Sequence, residues 1–159
     1  MMGRKDAGGK MGGRADGLGT TGLALAVEAN PQGGDIACLE QGLLAFEERR
    51  LGSPEHAHFA VFLRDEQGNV LGGLDAHIMW RRLFIKTLWI AEGYRHLGHG
   101  GRLMAATEAE ARARRCRSIW LTALGDRACR FYLKLDYSIF GMLEDYIGGQ
   151  SLYSLQKEL

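Results

Sequence analysis

The stretch Trp89-Ile-Ala-Glu-Gly-Tyr-Arg-His-Leu-Gly-His-Gly-Gly-Arg102 decides how this chain is read. A β-branched and aromatic run, Leu83 to Ile90, stops inside it, and a long helical pattern starts near Gly98. Between the two, Arg95, Gly98 and Gly100 stand as Arg-x-x-Gly-x-Gly, with Gly101 directly after. Glycines between a strand and a helix let the backbone approach a ligand closely and turn N–H groups outward. The first turn of the helix adds unsatisfied donors and the positive end of a dipole. Together they predict an anion site of the kind a pyrophosphate occupies.

Outward from this stretch the pattern alternates between strands and helices. Toward the N-terminus, Leu23–Val27 reads as a first strand, ended by Asn30-Pro31. Asp35–Leu51 has near-helical apolar spacing, with Asp35 as its cap and Gly52-Ser53-Pro54 as its stop. Phe59–Arg64 and Val70–Met79 are strands joined by the turn Asp65–Asn69. Leu83–Ala91, apolar on both faces, reads as a central strand buried on two sides. Beyond the glycines, the helix to Arg115 buries Met104, Thr107 and Ala111 and turns Arg102, Glu108, Arg112 and Arg115 to water. Strand Ser118–Thr122, helix Asp126–Leu135 and strands Tyr137–Leu143 and Ser151–Gln156 complete the order β-α-β-β-β-α-β-α-β-β. The expected class is α/β: a mixed, mostly antiparallel sheet with helices on both faces.

At 159 residues, 46% hydrophobic and 25% charged, the chain has room for one well-packed domain. Residues 1–22 hold eight of the 23 glycines and little to bury, so they are expected to be a flexible leader before a domain over 23–159. A formal charge of +1 calls for no nucleic-acid partner. The arginines 112, 114, 115 and 117 alternate with acids and lack interleaved aromatics. Three scattered cysteines form no Cys-x-x-Cys, which points to a reducing, cytoplasmic setting. No apolar run approaches the roughly 18 residues of a membrane span. His56/His58 and His96/His99 pair closely, but no Cys or carboxylate joins them at zinc spacing, so no metal is expected. No Gly-Lys-Ser/Thr follows the glycines, which excludes a P-loop nucleotidase.

A second segment lies about 30 residues downstream: Ala128-Cys-Arg-Phe-Tyr-Leu-Lys-Leu-Asp-Tyr137. With Arg95–Gly100 before it and Glu144-Asp145-Tyr-Ile-Gly-Gly after it, the chain resembles the GNAT superfamily of acetyl-CoA-dependent N-acetyltransferases, small bacterial type. The resemblance runs from about Leu23 to the C-terminus. It implies that Leu83–Ala91 and Ser118–Thr122 are a splayed parallel pair, with a pantetheine arm pairing to the backbone of Leu88, Trp89 and Ile90. It assigns the diphosphate to Arg95, His96, Leu97, Gly98, His99, Gly100, Gly101 and Arg102, and adds Phe131 and Lys134 of the second motif as coenzyme-binding positions. The acceptor is expected to be a primary amine of a small molecule or peptide, and the chain a homodimer.

Attack by an amine needs a neutral nucleophile, a donor for the developing oxyanion and a proton for the leaving thiolate. By resemblance a backbone N–H near Ile90 serves the oxyanion, and Tyr132 is the acid. The base stays open between a water chain, Glu92 at the strand end, and Asp75 with His77, which share one face of a strand two residues apart. Where many relatives carry a base early in the fourth strand, this chain has Phe84. Where they carry a pantetheine-binding Asn, it has Gly125, and Asp136 replaces a turn Gly. Glu47, Glu48, Glu55, Asp75, Glu144 and Asp145 are candidates to favour a cationic acceptor if they converge. A non-catalytic acyl-CoA-binding module of the same fold is the alternative.

Overall fold

The computed structural model describes residues 22–159. The expected leader, residues 1–22, lies outside them but for Gly22. The chain divides after Phe46 into two units.

In the first unit the strand expected over Leu23–Val27 is not formed. Leu23, Leu25 and Val27 are exposed, and no strand pairs with them. Apolar alternation makes a strand only where a sheet edge accepts its hydrogen bonds. The first element is therefore α1 (Gly33–Leu51). The Asp35 N–H donates to Gln32 O, so Asp35 belongs to the first turn and is not the cap. Ile36, Leu39, Leu43 and Phe46 are exposed on this helix.

The second unit holds one six-stranded sheet: β1 (Ala57–Arg64), β2 (Val70–Met79), β3 (Arg82–Ile90), β4 (Ser118–Leu124), β5 (Ser138–Ile147) and β6 (Gln150–Glu158). Their order across the sheet is β1-β2-β3-β4-β6-β5. Neighbours are antiparallel except β3 and β4, which are parallel. Helix α2 (His99–Ala113) makes the crossover between that parallel pair, and α3 (Gly125–Leu133) follows β4. The β1–β2 turn is held by Asp65, whose carboxylate accepts the N–H groups of Gln67 and Asn69. The β2–β3 turn is made by Trp80 and Arg81, both at positive φ (47° and 61°). Such a turn matches strand twist but strains residues with a Cβ. Two bonds anchor it: Arg81 Nε donates to Arg115 O and Arg117 N donates to Arg81 O.

One core holds the unit together. Leu74, Ala76 and Ile78 of β2, Leu83 and Ile85 of β3, and Ile119, Leu121 and Ala123 of β4 point to the same side as Met104 and Ala111 of α2 and Cys129 and Tyr132 of α3. Alternation puts Phe84 and Trp120 on the other face, where their rings meet at 4.3 Å. They are only half-buried and Trp89 is exposed, so β3 is internal to the sheet yet fully buried on one side alone. Glu108 departs from the expected pattern. It is buried on α2, with both carboxylate oxygens 3.0 Å from Lys157 Nζ of β6. Asp136 sits at φ 64°, the left-handed conformation that its short polar side chain tolerates.

Candidate active site

The parallel pair is short. β3 and β4 are in register from Arg82 opposite Ser118 to Ile85 opposite Leu121, and no further. Each strand continues without the other: β3 stays paired with β2 as far as Ile90, and β4 with β6 as far as Leu124. The parting begins at a bulge, where Asp75 faces Thr87 and Ala76 faces Ile85, leaving Lys86 between them. A bulge bends and twists its strand, and here it turns β3 away from β4.

The backbone of the parted segment has a definite polarity. Trp89 O lies on the β2 side, 2.8 Å from where a Cβ on Gly72 would stand, and Ala91 N donates to Leu71 O. Residues along an antiparallel strand direct their backbone groups to alternate neighbours. Leu88 and Ile90 therefore direct theirs into the wedge, while Trp89 directs its own to β2. The Arg95 guanidinium confirms the direction for Ile90, since Nε donates to Ile90 O at 2.9 Å. Arg95 thus ties the loop to the strand it leaves.

The loop itself is exposed. After Ala91 comes a single 3-10 turn, Glu92–Tyr94, with Glu92 on the outside and its carbonyl accepting Arg95 N. His96 is at φ 65° and Gly98 at φ 83°, so the chain reverses into α2 through two left-handed residues. Gly98 O then accepts Arg102 N, the first helical bond. A Cβ at Gly100 would lie 3.1 Å from the Phe131 ring, whereas one at Gly101 would meet nothing within 4 Å. A side chain at the first glycine would press on Phe131, and the second leaves free space over the helix start. His99 Nδ1 is buried there without a hydrogen-bond partner. Left-handed turn, free amides and an orphaned donor or acceptor at one helix N-terminus fit a bound diphosphate. Arg102 is exposed in the first turn of α2, and Lys134 is exposed at the far end of α3.

α3 closes the other side of the loop. Arg127 Nη2 is 2.6 Å from His96 Nε2, which brings a guanidinium beside the glycines. No spacing signal in the sequence marked Arg127, because the contact spans 31 residues. Gly125, at φ 77°, is buried, and the Gln150 side-chain oxygen lies 2.1 Å from where its Cβ would stand. Gln150 of β6 thus fills the side-chain space that Gly125 leaves, another feature hidden from local reading.

Tyr132 is buried between Phe131 and Tyr137, with ring centroids at 4.9 and 5.9 Å. Among the described residues its hydroxyl has no hydrogen-bond partner, yet it is not sealed from solvent. Burial pushes its pKa up to about 12. Tyr137 is also pushed up, first by burial and then by the Glu108 carboxylate. Tyr153 of β6 donates to Asp126 Oδ1 at 2.6 Å, fixing the start of α3 to the sheet.

Asp75 and His77 do share a face, and they gain a partner. His58 Nε2 is 2.5 Å from Asp75 Oδ1, and His77 Nε2 is 3.6 Å from Asp75 Oδ2. The His58 bond, against a desolvation cost, holds the Asp75 carboxyl below its ordinary range. Asp75 therefore gathers two imidazoles rather than the other acids of the expected acceptor cluster. Its backbone faces Thr87, one strand from the wedge.

Known proteins share the sequence pattern and the fold of this chain. The model of the acetyltransferase (GNAT) family matches residues 18–137. Blasticidin-S acetyltransferase of Streptomyces morookaense is 33% identical over 102 residues, 64% of this chain and 75% of that protein. A crystal structure assigned as an acetyltransferase from Agrobacterium tumefaciens superposes with a TM-score of 0.81 at 24% identity, covering 86% of this chain and all of that one. A protein from Bacillus anthracis str. Ames, assigned as a streptothricin acetyltransferase and crystallised with acetyl coenzyme A, superposes with a TM-score of 0.56 at 19% identity, over 64% of this chain and 62% of its own.

Proposed function

This chain is a member of the GNAT family of acetyltransferases, and from that membership we propose that it moves an acetyl group from acetyl-CoA to a primary amine of a small molecule or peptide. The observation that carries the reading is the early parting of β3 from β4 beside the glycine loop. The family likeness to a protein crystallised with acetyl coenzyme A supports the choice of donor. That donor supplies an activated acetyl carbon and a thiolate leaving group.

In this reading the loop amides from Leu97 to Arg102 hold the diphosphate, with Arg127 adding charge from α3. The wedge-facing groups of Leu88 hold the pantetheine arm as an added strand. The Ile90 N–H serves the oxyanion. A backbone donor costs no reorganisation when charge develops in a site shielded from water. Tyr132 stays neutral and donates its proton to the departing sulfur. With a pKa near 12 it is a weak acid, so the transfer runs with departure of the thiolate rather than before it. Water carries the amine proton away, because Glu92 is on an exposed turn and Asp75 is already held by His58. The relative named for blasticidin S supports a small-molecule acceptor over a protein one. The free cysteines fit a cytoplasmic enzyme, and among the described residues no helix is long and apolar enough to cross a membrane.

The test is thiol release from acetyl-CoA against a panel of amines, with mass spectrometry of the products. Turnover with an amine that gains one acetyl group is the expected result. Binding of acetyl-CoA with no release across polyamines, aminoglycosides, nucleoside amines, amino acids and peptides would overturn the assignment.

A further inference from the structure

The cluster on β1 and β2 does not belong to the transfer chemistry. β-Pairing sets His58 directly opposite His77, and Asp75 shares their face two residues before His77. The two imidazoles stack at 4.5 Å with 25° between their planes. Both Nε2 atoms are turned toward the one carboxylate, one at each oxygen. One ligand atom from each of the three side chains lies within 4.8 Å of the other two. The arrangement faces away from the α2/α3 core, and its two histidines line a groove of about 230 Å3 together with His56 and Met79.

We propose that His58, Asp75 and His77 form a binding site for a borderline divalent cation of the zinc class. Two imidazole nitrogens and a carboxylate oxygen are the ligand types that Zn2+ accepts, at about 2.0–2.2 Å, with a further position left open. Ligands around such an ion stand about 3.4 Å apart when tetrahedral. His77 and Asp75 already meet that spacing at 3.6 Å. His58 must withdraw by about 1 Å from Asp75, and its side chain is 60% exposed, so rotation meets little resistance. The ion takes the place of the direct contact between His58 and Asp75. The open position faces the groove, which lets a small anion or water complete the shell. Harder cations are disfavoured, since two of three ligands are nitrogen. Sequence spacing hid the site because its ligands come from two strands and 20 residues.

Full-length protein stripped with a chelator is titrated with Zn2+ by calorimetry and with Co2+ by visible absorption. The expected result is saturable binding of one ion per chain, with d–d bands of a four- or five-coordinate Co2+ complex. In Asp75→Asn and in His77→Gln the affinity falls at least ~10-fold, with circular dichroism unchanged. Absence of saturable binding in the wild type, or wild-type affinity in both variants, would overturn the site. If either variant loses its folded spectrum, His58→Gln, at the more exposed ligand, gives the same comparison.

Discussion

The ring edge of Phe131 stands 3.1 Å from the point a β-carbon on Gly100 would occupy, so the second motif is built against the first. That contact makes the two glycines after Gly98 separable. Gly100→Ala pushes Phe131 by a few tenths of an ångström and shifts the loop amides with it. The KM for acetyl-CoA is expected to rise about 10-fold, since small misplacements near reacting groups are costly. Gly101→Ala meets nothing in the protein. It favours the helix by roughly 0.5–1 kcal/mol, so Tm rises while acetyl-CoA binding weakens through a clash with the ligand alone. Calorimetry and thermal melts on both variants check this. Wild-type affinity in both would mean that the loop does not grip the coenzyme.

Tyr132 tests the chemistry. A buried hydroxyl with no protein partner contributes little to folding, and its removal is close to neutral or stabilising. Tyr132→Phe is therefore expected to keep Tm within about 2 °C while kcat falls at least ~10-fold, below the usual range for acid catalysis. Steady-state kinetics on an amine that turns over decides it. Unchanged kcat, or a loss of activity that tracks a loss of Tm, would make Tyr132 a packing residue.

The same side chain sets an alkaline limit. Its folded pKa, about 12, lies above the value near 10 that a tyrosine has in the unfolded chain. The folded state thus binds more protons than the unfolded one between pH 10 and 12. Stability is full below pH 10 and declines as pH rises through that window, by about 2–3 kcal/mol for the whole span. Tyr137, also raised, adds to the decline. Denaturant midpoints taken from pH 8 to 11 should fall in the wild type and fall less in Tyr132→Phe. Parallel curves for the two proteins would contradict the assignment of the shift to Tyr132.

Glu108 and Lys157 form a pair that holds α2 to β6 across the core's edge, and Lys157 also donates to Leu135 O at 2.8 Å. Removing the cation leaves a buried carboxylate whose remaining ion-pair partner among the described residues is Arg112, at 3.5 Å. Lys157→Met is expected to cost about 3 kcal/mol, the low end for a broken buried pair because both groups keep some solvent contact. Glu108→Gln in the same background should recover part of it. Urea unfolding of the wild type and the two variants measures the difference. A single-variant loss below about 0.5 kcal/mol would place the pair with weak surface bridges.

Glu108 also shows where the sequence stops being readable. It sits one position after Thr107 and four after Met104, inside the buried stripe by spacing. Its charge argued for water because Lys157, 49 residues on, is not visible to a local pattern. The same limit hid Arg127 beside His96, Gln150 beside Gly125 and His58 beside Asp75. Features legible beforehand rested on local segments: the Arg95–Gly100 turn into α2, the two motifs whose family resemblance implied the parallel pair, and the left-handed Asp136. Leu23–Val27 failed for the opposite reason. Its alternation was local, but a strand needs an edge to pair with, and none reaches it among the described residues.

β5 bears on assembly. Among the described residues it is an edge strand paired with β6 alone, and Ile139, Phe140, Met142, Leu143, Tyr146 and Ile147 on it are all 45–59% exposed. A long apolar edge invites another strand, and its chemistry favours a second copy of this chain, as the family resemblance also implies. Both faces are apolar, so the partner has to cover the hairpin as well as extend the sheet. Phe140→Lys with Leu143→Lys adds charge to both faces without touching the core. Light scattering after size exclusion should give a dimer for the wild type and a monomer for the double variant. A wild-type monomer at micromolar concentration would leave β5 as an ordinary exposed edge and refute pairing between copies through this strand.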